Sequence, residues 1–192
     1  MQKMIKACNF YVSEWHLFAA LLPYVRDELQ KNHKIMVISQ DKLEKGMKEL
    51  VGKLNLKFEN GKGLEDVSWL GEEFELEMKK EDTPITIVVE GTNEFIAEIN
   101  NYLEQNIAQN FDNLTIINCY EVYNTSTMLY TILDAHDYVF NTAGLNEKSE
   151  IFPGYIEKKK GIKEVARKHV LLAYCDLEGM TKPNRAEKAP CR

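Results

Sequence analysis

The sequence predicts an α/β fold in which a mostly parallel sheet is covered by helices on both faces. Apolar runs of strand length, such as KIMVIS (34–39), ITIVVE (85–90) and LTIINCY (114–120), are typical of strands that are buried on both sides. Patterns of helical spacing lie between these runs. Strands that alternate with helices form βαβ units, and such units build three αβα layers around a parallel sheet.

The first strand and the first helix follow each other closely. KACNFY (6–11) is predicted as a strand, and Ser13 is predicted as the N-cap of the helix after it. Pro23 lies inside the helical pattern, where it removes one backbone hydrogen bond. The apolar residues at helical spacing, which we expect on the buried face, are Phe18, Leu21, Leu22, Val25 and Leu29.

The next part of the chain has weaker signals. Asp41 and Glu44 form a D-x-x-E pattern that resembles a capping box, and it indicates a second helix. LKFE (56–59) is predicted as a third strand, ended by an Asn-Gly turn signal. Residues 61–83 are rich in Glu and Lys around a few large apolar side chains, and a helix is predicted there.

The second half contains two further helices and a last strand. Asn93 is predicted to cap the helix after ITIVVE, and Thr125 or Ser126 to cap the helix after LTIINCY. YVF (138–140) is predicted as the last, short strand. The pattern of residues 161–178 fits a helix and a strand equally well.

Composition indicates a soluble globular protein. The 192 residues are 44% hydrophobic and 28% charged, and no apolar run is long enough to span a membrane. The N-terminus has no apolar segment of the secretory type, and the four cysteines form no CxxC pair. These features predict a cytoplasmic protein with reduced cysteines, and we expect no cofactor.

Charge divides the chain into an acidic body and a basic end. Residues 157–192 have a net charge of +5, which leaves −11 on residues 1–156. We therefore predict a domain at 1–156 and a partly disordered basic extension at 157–192. An acidic body does not attract a phosphate backbone, so nucleic acid is not an expected partner.

The candidate binding residues follow the predicted strands, because ligands bind parallel sheets at the carboxyl ends of the strands. The residues there are aromatic and acidic, which suits an apolar or weakly polar small organic molecule, or a cation held against ring faces, better than a triphosphate. The chain contains no GxxxxGK[ST] phosphate loop. The predicted ligand contacts are Tyr11, Ser13, Glu14, Trp15, His16, Ser39, Glu90, Tyr120 and Glu121, with His136 as a further contact or as a structural hydrogen-bond donor.

Three other functions remain open from the residues. Glu90 ends an apolar strand as the acidic residue of a Walker B strand does, so it could serve a divergent ATPase as the base. Cys119, His136 and Glu121 could form a nucleophilic triad if they met in space. A protein-interaction module without a pocket is the third. A metal site would require the convergence of Cys8, His16, Cys119 and His136.

Several short motifs together resemble the MEDS domain, a methanogen and methylotroph sensory domain. They are CNFY before a helix with an internal proline, KIMVIS, a strand ending in Glu90, INCYE, and ILDAHDYVFNTAG. The resemblance covers roughly residues 5–155. It departs from the family at Lys6, where a histidine is usual, and at Glu121, which replaces an aspartate.

The resemblance implies a RecA-like, KaiC-related core with P-loop-NTPase-like topology but without a phosphate loop. It also implies a role in sensing. Together with the residues it leads us to expect a non-catalytic domain that binds a small organic ligand and signals to a partner protein, with a homo-oligomer as one possible state. The VSEWH segment would then occupy the position of the phosphate loop. On this view Tyr11, Trp15 and His16 form the floor of the ligand pocket.

Overall fold

The structure is a computed structural model, and the chain divides into the units Met1–Ile151 and Phe152–Arg192. The predicted basic extension at 157–192 and the undecided segment at 161–178 lie outside the described residues. The same holds for part of the predicted helix at 61–83. The described residues are 3–59, 61–72, 83–108, 111–125 and 128–152.

The first unit is built on one seven-stranded sheet. Its strands are β1 (Lys3–Tyr11), β2 (Lys34–Ser39), β3 (Ser68–Leu70), β4 (Ile85–Glu90), β5 (Asn113–Glu121), β6 (Tyr138–Asn141) and β7 (Gly144–Glu147). They lie in the order β3-β2-β4-β5-β1-β6-β7, and neighbours are parallel except β6 with β7. The predicted α/β class with a mostly parallel sheet and a RecA-like arrangement is confirmed.

Helices cover both faces of this sheet. They are α1 (Glu14–Gln30), α2 (Leu43–Leu54), α3 (Asn93–Asn106), α4 (Val122–Thr125), α5 (Leu129–Ala135) and α6 (Lys148–Ile151). The buried residues of α1 and α2 form one core with Ala7, Val37, Val88 and Ile117. On the opposite face of the sheet, α3 contacts β4 and α5 contacts β1. Neighbouring residues of a strand point to opposite sides, so one strand can contact helices on both faces.

The first helix follows its sequence signals. The Ser13 hydroxyl accepts a hydrogen bond from the backbone N–H of His16 at 3.3 Å, which confirms Ser13 as the N-cap. All five predicted apolar residues are buried, and Pro23 lies inside the helix with its ring exposed to solvent. The helix tolerates the proline because its apolar face remains packed on the sheet.

The predicted starts of the second and third helices are each wrong by one residue. Lys42, not Asp41, precedes α2, and its side chain makes no capping hydrogen bond. Thr92, not Asn93, caps α3, since the Thr92 hydroxyl accepts from the backbone N–H of Phe95 at 3.3 Å. A side chain caps a helix only where the backbone directs it at the free N–H groups, and sequence does not fix that direction.

The helix after β5 also begins elsewhere. Thr125 is the last residue of the short helix α4, so it does not cap α5. Met128 precedes α5 and gives no side-chain cap, and Ser126 lies outside the described residues.

The predicted third strand is wrong. Residues 56–59 follow a chain reversal at Asn55, which has the left-handed φ of 49°, and they pair with no strand. The strand beside β2 is β3 instead, where Trp69 donates its indole N–H to the carbonyl of Leu64 at 3.0 Å. Residues 61–72 contain this strand and a short 3-10 turn, Leu64–Asp66, instead of the predicted helix.

The predicted strand at 138–140 is confirmed as β6, but it is not the last. A turn at 142–143 leads into β7, which pairs antiparallel with β6 at the edge of the sheet. Among the described residues no helix combines the length and the hydropathy that a membrane span requires.

Candidate functional site

Glu90 lies at the carboxyl edge of the sheet, and it joins three strand ends. Its side chain is buried, with only 2% exposed. The Tyr11 hydroxyl donates to Oε1 of Glu90 at 2.8 Å, and the Ser39 hydroxyl oxygen lies 2.8 Å from Oε2. The same Ser39 oxygen lies 2.5 Å from the backbone carbonyl of Asp41. The cluster therefore links the ends of β1, β2 and β4.

Burial and hydrogen bonding act in opposite directions on the Glu90 carboxyl. The Ser39 hydroxyl has one hydrogen, and both Oε2 of Glu90 and the Asp41 carbonyl lie where they can accept it. Burial raises the pKa of Glu90 above its usual 4.5, whereas the hydrogen bonds from Ser39 and Tyr11 lower it, and burial is the larger effect. Burial and the Glu90 carboxyl also raise the pKa of Tyr11, so the phenol keeps its proton.

The strand-to-helix junction after β1 is exposed and does not join this cluster. Ser13 caps α1, and Glu14 places a negative charge in its first turn, where it interacts favourably with the positive end of the helix dipole. The Trp15 side chain is 53% exposed, and its ring packs edge-on against Phe18. The ammonium of Lys53 lies 5.5 Å from the Trp15 ring centre. The backbone N–H of His16 bonds to the cap, while the residue itself is exposed.

The strand register separates the predicted contacts into two groups. Tyr11 is aligned with Glu121 on the neighbouring strand, and Phe10 is aligned with Tyr120. Aligned residues of a parallel pair point to the same face, so Tyr120 faces α3 and α5 while Tyr11 faces α1 and α2. His136 follows α5, and its ring packs edge-on against Tyr120 with ring centres 5.8 Å apart. Glu121 is partly exposed at the strand end.

The hydrogen bonds of His136 define its tautomer. Nδ1 lies 2.6 Å from the carbonyl oxygen of Ile132, which only accepts, so Nδ1 carries a hydrogen. Nε2 lies 2.8 Å from Nδ2 of Asn118 and accepts from it in the neutral ring. The Asn118 Oδ1 atom is left buried without a hydrogen bond in the described part of the chain. Burial lowers the pKa of His136 below 6.5, which favours this neutral form.

We expect His136 to make the fold sensitive to acid. The pKa of His136 is lowered in the folded protein. The stability that its neutral ring contributes is therefore present above pH 6.5 and is lost as pH falls through the lowered pKa. In a protonated ring Nε2 would also carry a hydrogen, so two hydrogen-bond donors, Nε2 and the Asn118 N–H, would face each other. The fall in unfolding free energy between pH 7 and 5, measured by urea denaturation, should be smaller in His136→Phe than in the wild type. An equal fall in both proteins would contradict the prediction.

The other proposed reactive groups are not assembled. Cys119 is buried in the α1–α2 core, whereas His136 bonds to Asn118 on the other face, so these two do not form a triad with Glu121. Burial raises the pKa of the Cys8 thiol to about 12 and that of Cys119 well above its usual value, so both stay protonated. Within the described ranges no group of three or more His, Cys, Asp or Glu side chains is arranged to hold a metal ion.

A cavity of about 250 Å³ lies between α3, α5 and the sheet, and we call it the α3–α5 cavity. Asn93 at the start of α3 donates to the Met128 sulfur at 3.6 Å, and the Lys6 ammonium pairs with Glu104. Both contacts involve residues that line the cavity. The residues that line the cavity include Lys6, Ala97, Asn100, Glu104, Tyr120 and His136.

Asn100 is the unusual residue of this cavity. It is 9% exposed, and its Oδ1 atom has no hydrogen-bond partner in the described parts of the chain. A buried polar atom without a partner costs about 1 to 3 kcal/mol, so it needs a reason. The oxygen has almost no accessible surface, so this atom does not open into the cavity that the residue lines.

The position of α5, which forms one wall, is held from two sides. The Lys148 ammonium donates to the carbonyls of Leu133 and His136 at 3.0 and 2.6 Å, which satisfies the C-terminal end of the helix. Asp137 and Lys6 exchange two hydrogen bonds of 2.7 and 3.0 Å with each other. The wall is therefore fixed at its C-terminal end against β1.

Sequence reasoning found Tyr120 and His136 but missed Asn100. A signal was present, because Asn100 occupies a buried position of the helical pattern set by Ile96, Ile99 and Leu103. A polar residue at such a position indicates either a buried hydrogen bond or a lining position.

Two further cavities border the carboxyl edge. One of about 250 Å³ is lined by Ser39, Lys42 and Trp69, and one of about 560 Å³ by Gln40, Glu72 and Tyr102. Beyond Glu72 the chain leaves the described residues, so the second cavity supports no proposal.

The fold and the site define a RecA-like α/β domain whose first strand-to-helix junction has no phosphate loop and whose second face contains a lined cavity. No protein-family model, no curated protein and no solved structure matches the chain. The resemblance to the MEDS domain therefore stays a prediction.

Proposed function

We propose that this chain is a non-catalytic sensory domain that binds a small organic molecule in the α3–α5 cavity and signals to a partner protein. The observation that supports it most is a cavity whose lining combines apolar side chains with the polar side chains of Asn100, Tyr120 and His136. Apolar walls with a few polar groups are typical of small-molecule sites. The resemblance to a sensory family points the same way.

Signalling requires that the ligand favours one of two states of the domain. The helix α5 is the element most suited to respond, because it is short and Met128 at its start is both in the lining and 41% exposed. Tyr123, in the neighbouring α4, is 78% exposed. A ligand that contacts Met128 would change a surface that a partner protein can read.

An ATPase is the less favoured function. A water-activating base must be an available carboxylate, but both oxygens of Glu90 lie 2.8 Å from hydroxyl groups and burial raises the pKa of this carboxyl. Stabilisation by ATP with Mg²⁺ in a thermal-shift assay would support the ATPase instead.

The test of the proposal blocks the cavity without touching the core. Ala97 lines the α3–α5 cavity at an exposed position of α3, so Ala97→Trp should fill the opening and leave the fold intact. We expect compounds from a fragment library to raise the Tm of the wild type and not that of Ala97→Trp. A ligand at about a hundred times its Kd adds roughly 2.7 kcal/mol, several degrees for a domain of this size.

The matched control is Ala19→Trp, which adds the same side chain at an exposed position of α1 on the other face. It should respond to the compounds as the wild type does. Compounds that stabilise Ala97→Trp as strongly as Ala19→Trp would place the binding site elsewhere and contradict the proposal.

A further inference from the structure

The carboxyl edge of the sheet exposes apolar side chains where the central neighbouring strands β4, β5 and β1 end. The large apolar residues that are exposed there are Val12 after β1, Tyr123 after β5 and Met128 at the start of α5. Tyr11 at the end of β1 is aligned with Glu121 at the end of β5. The Asn93 amide, after β4, contacts the Met128 sulfur at 3.6 Å. The three strand ends therefore contribute to one surface.

Carboxylates accompany these apolar side chains. Residues 12–16, 91–95 and 121–125 lie at the ends of the three strands, and together they contain three glutamates and no lysine or arginine. Glu14 and Glu94 are exposed and form no ion pair within the described part of the chain, and Glu121 is partly exposed. We call Val12, Glu14, Glu94, Glu121, Tyr123 and Met128 the carboxyl-edge surface.

The acids of this surface differ from several acids elsewhere on the domain. Glu28 pairs with Lys31, Glu44 with Lys48, and Glu104 with Lys6. Cations near the carboxyl edge belong to α2 or precede it, where Lys42 follows β2 and the Lys53 ammonium lies against the Trp15 ring. The carboxyl-edge surface therefore combines exposed apolar side chains with negative charge that nearby cations do not pair.

This charge distinguishes between the molecules that could cover the surface. A symmetric contact with a second copy would place the carboxylates of the two copies near each other, which is unfavourable. Nucleic acids and anionic membranes are negative and are repelled for the same reason. A protein segment that has Lys or Arg beside apolar side chains complements both features, because opposite charges favour association and buried aromatic side chains provide affinity.

We infer that the carboxyl-edge surface docks a cationic, amphipathic segment of the partner protein, with Tyr123 as the apolar anchor and Glu14 and Glu94 as its charge partners. The inference rests on the proposed function, because it describes the partner to which the domain signals. Met128 belongs to this surface and also lines the α3–α5 cavity. A ligand in that cavity would therefore contact the docking surface directly.

Three peptides test this class of partner on the full chain at about 0.15 M salt. Each has about 18 residues, the length of five helical turns. The first has leucine on one helical face and lysine on the other. The second has glutamate in place of every lysine, and the third has serine in place of every leucine. We expect the first to bind about tenfold more tightly than either of the others, since it alone offers both features. Fluorescence anisotropy of the labelled peptides measures each Kd.

Neutral variants test the carboxylates. Glu14→Gln combined with Glu94→Gln should weaken binding of the first peptide about fivefold, which corresponds to about 1 kcal/mol. The matched control combines Asp27→Asn with Asp112→Asn, which changes the net charge equally at the opposite edge, where α1 ends and β5 begins. The control should bind the peptide as the wild type does. Equal weakening in both variants would show that net charge alone attracts the peptide, and it would overturn the docking surface.

Tyr123→Ser tests the apolar anchor. The Tyr123 side chain is 78% exposed, so the variant should keep the Tm of the wild type while its peptide binding weakens about tenfold. Met4→Ser, at an exposed apolar position near the start of β1, should bind as the wild type does. Unchanged binding in Tyr123→Ser would overturn the inference. A dimer of the chain alone that Tyr123→Ser disrupts, detected by analytical ultracentrifugation, would assign the surface to a second copy and also overturn it.

The outcomes separate the partner class from the proposed function, because the peptides are tested without a ligand. Selective binding of the first peptide, with no compound that distinguishes the wild type from Ala97→Trp, would support the docking surface and contradict the sensory function. Compounds that are blocked by Ala97→Trp, with no preference for the first peptide, would overturn the partner class and leave the cavity as the ligand site.

Discussion

Glu90→Gln should fold as stably as the wild type at neutral pH, or more so, whereas Glu90→Ala should lose about 3 kcal/mol. A neutral glutamic acid and a glutamine make the same hydrogen bonds here. The glutamine oxygen accepts from the Tyr11 hydroxyl, and its N–H group donates to the oxygen of Ser39. Alanine leaves the Tyr11 hydroxyl without its partner in the interior. The loss corresponds to a decrease in Tm of roughly 6 to 12 °C.

The pH dependence gives the sharper test of the protonation state. The pKa of Glu90 is raised in the folded protein, so its contribution to stability is complete below the usual pKa of 4.5 and is lost as pH rises through the raised pKa. Glu90→Gln has no such group. The difference in unfolding free energy between this variant and the wild type should therefore grow in favour of the variant as pH rises from 4.5.

Denaturant unfolding of the wild type, Glu90→Gln and Glu90→Ala at several pH values measures both effects. A Glu90→Gln protein that is less stable than the wild type at every pH from 5 to 8 would mean that a charged carboxylate is held in the fold. It would also restore Glu90 as a candidate base. The cluster therefore has a structural role if Glu90→Gln keeps the stability of the wild type, and it is a candidate reactive site if Glu90→Gln does not.

Gly46→Ala should destabilise the protein although alanine is the better helix former. A Cβ atom on Gly46 would lie 2.6 Å from Cζ and 2.7 Å from Cε2 of Phe18. The Phe18 ring is buried, with 1% exposed, so it must move within a packed core. Overpacking of this kind costs about 1 to 3 kcal/mol, more than the roughly 1 kcal/mol that alanine adds to a helix.

Gly52→Ala is the matched control in the same helix. A Cβ atom on Gly52 would have nothing within 4 Å, so alanine should raise the free energy of unfolding by up to about 1 kcal/mol. The helix propensity gain is common to both variants, so they should differ by the overpacking cost of roughly 1 to 3 kcal/mol in urea denaturation. Equal stability would show that the Phe18 ring moves aside at no cost.

The fold class was predictable from the sequence because buried strands have a local signature. β2, β4 and β5 are continuous apolar runs, and their type and place were correct. The short edge strand β3 has no such signature, since its three residues form a strand only by pairing with β2. The apolar residues of 56–59 resemble a strand but follow the left-handed Asn55 and form no strand.

The candidate site was only partly predictable. As expected, the carboxyl edge of the sheet brings together Tyr11, Ser39 and Glu90. Their side chains, however, form hydrogen bonds with one another. Trp15 and His16 remained outside, because the junction begins a helix whose first turn is exposed.

The sequence by itself determined the αβα class, the buried strands, the apolar face and N-cap of α1, and the absence of a phosphate loop. These follow from side-chain periodicity and local backbone chemistry, which neighbouring residues fix. Only the tertiary structure decided that Tyr120 faces α3 and α5 while Tyr11 faces α1 and α2, because a shift of one residue in register moves a side chain to the other face. The same tertiary packing left Oδ1 of Asn100 without a hydrogen-bond partner among the described residues, since distant elements decide which buried groups meet.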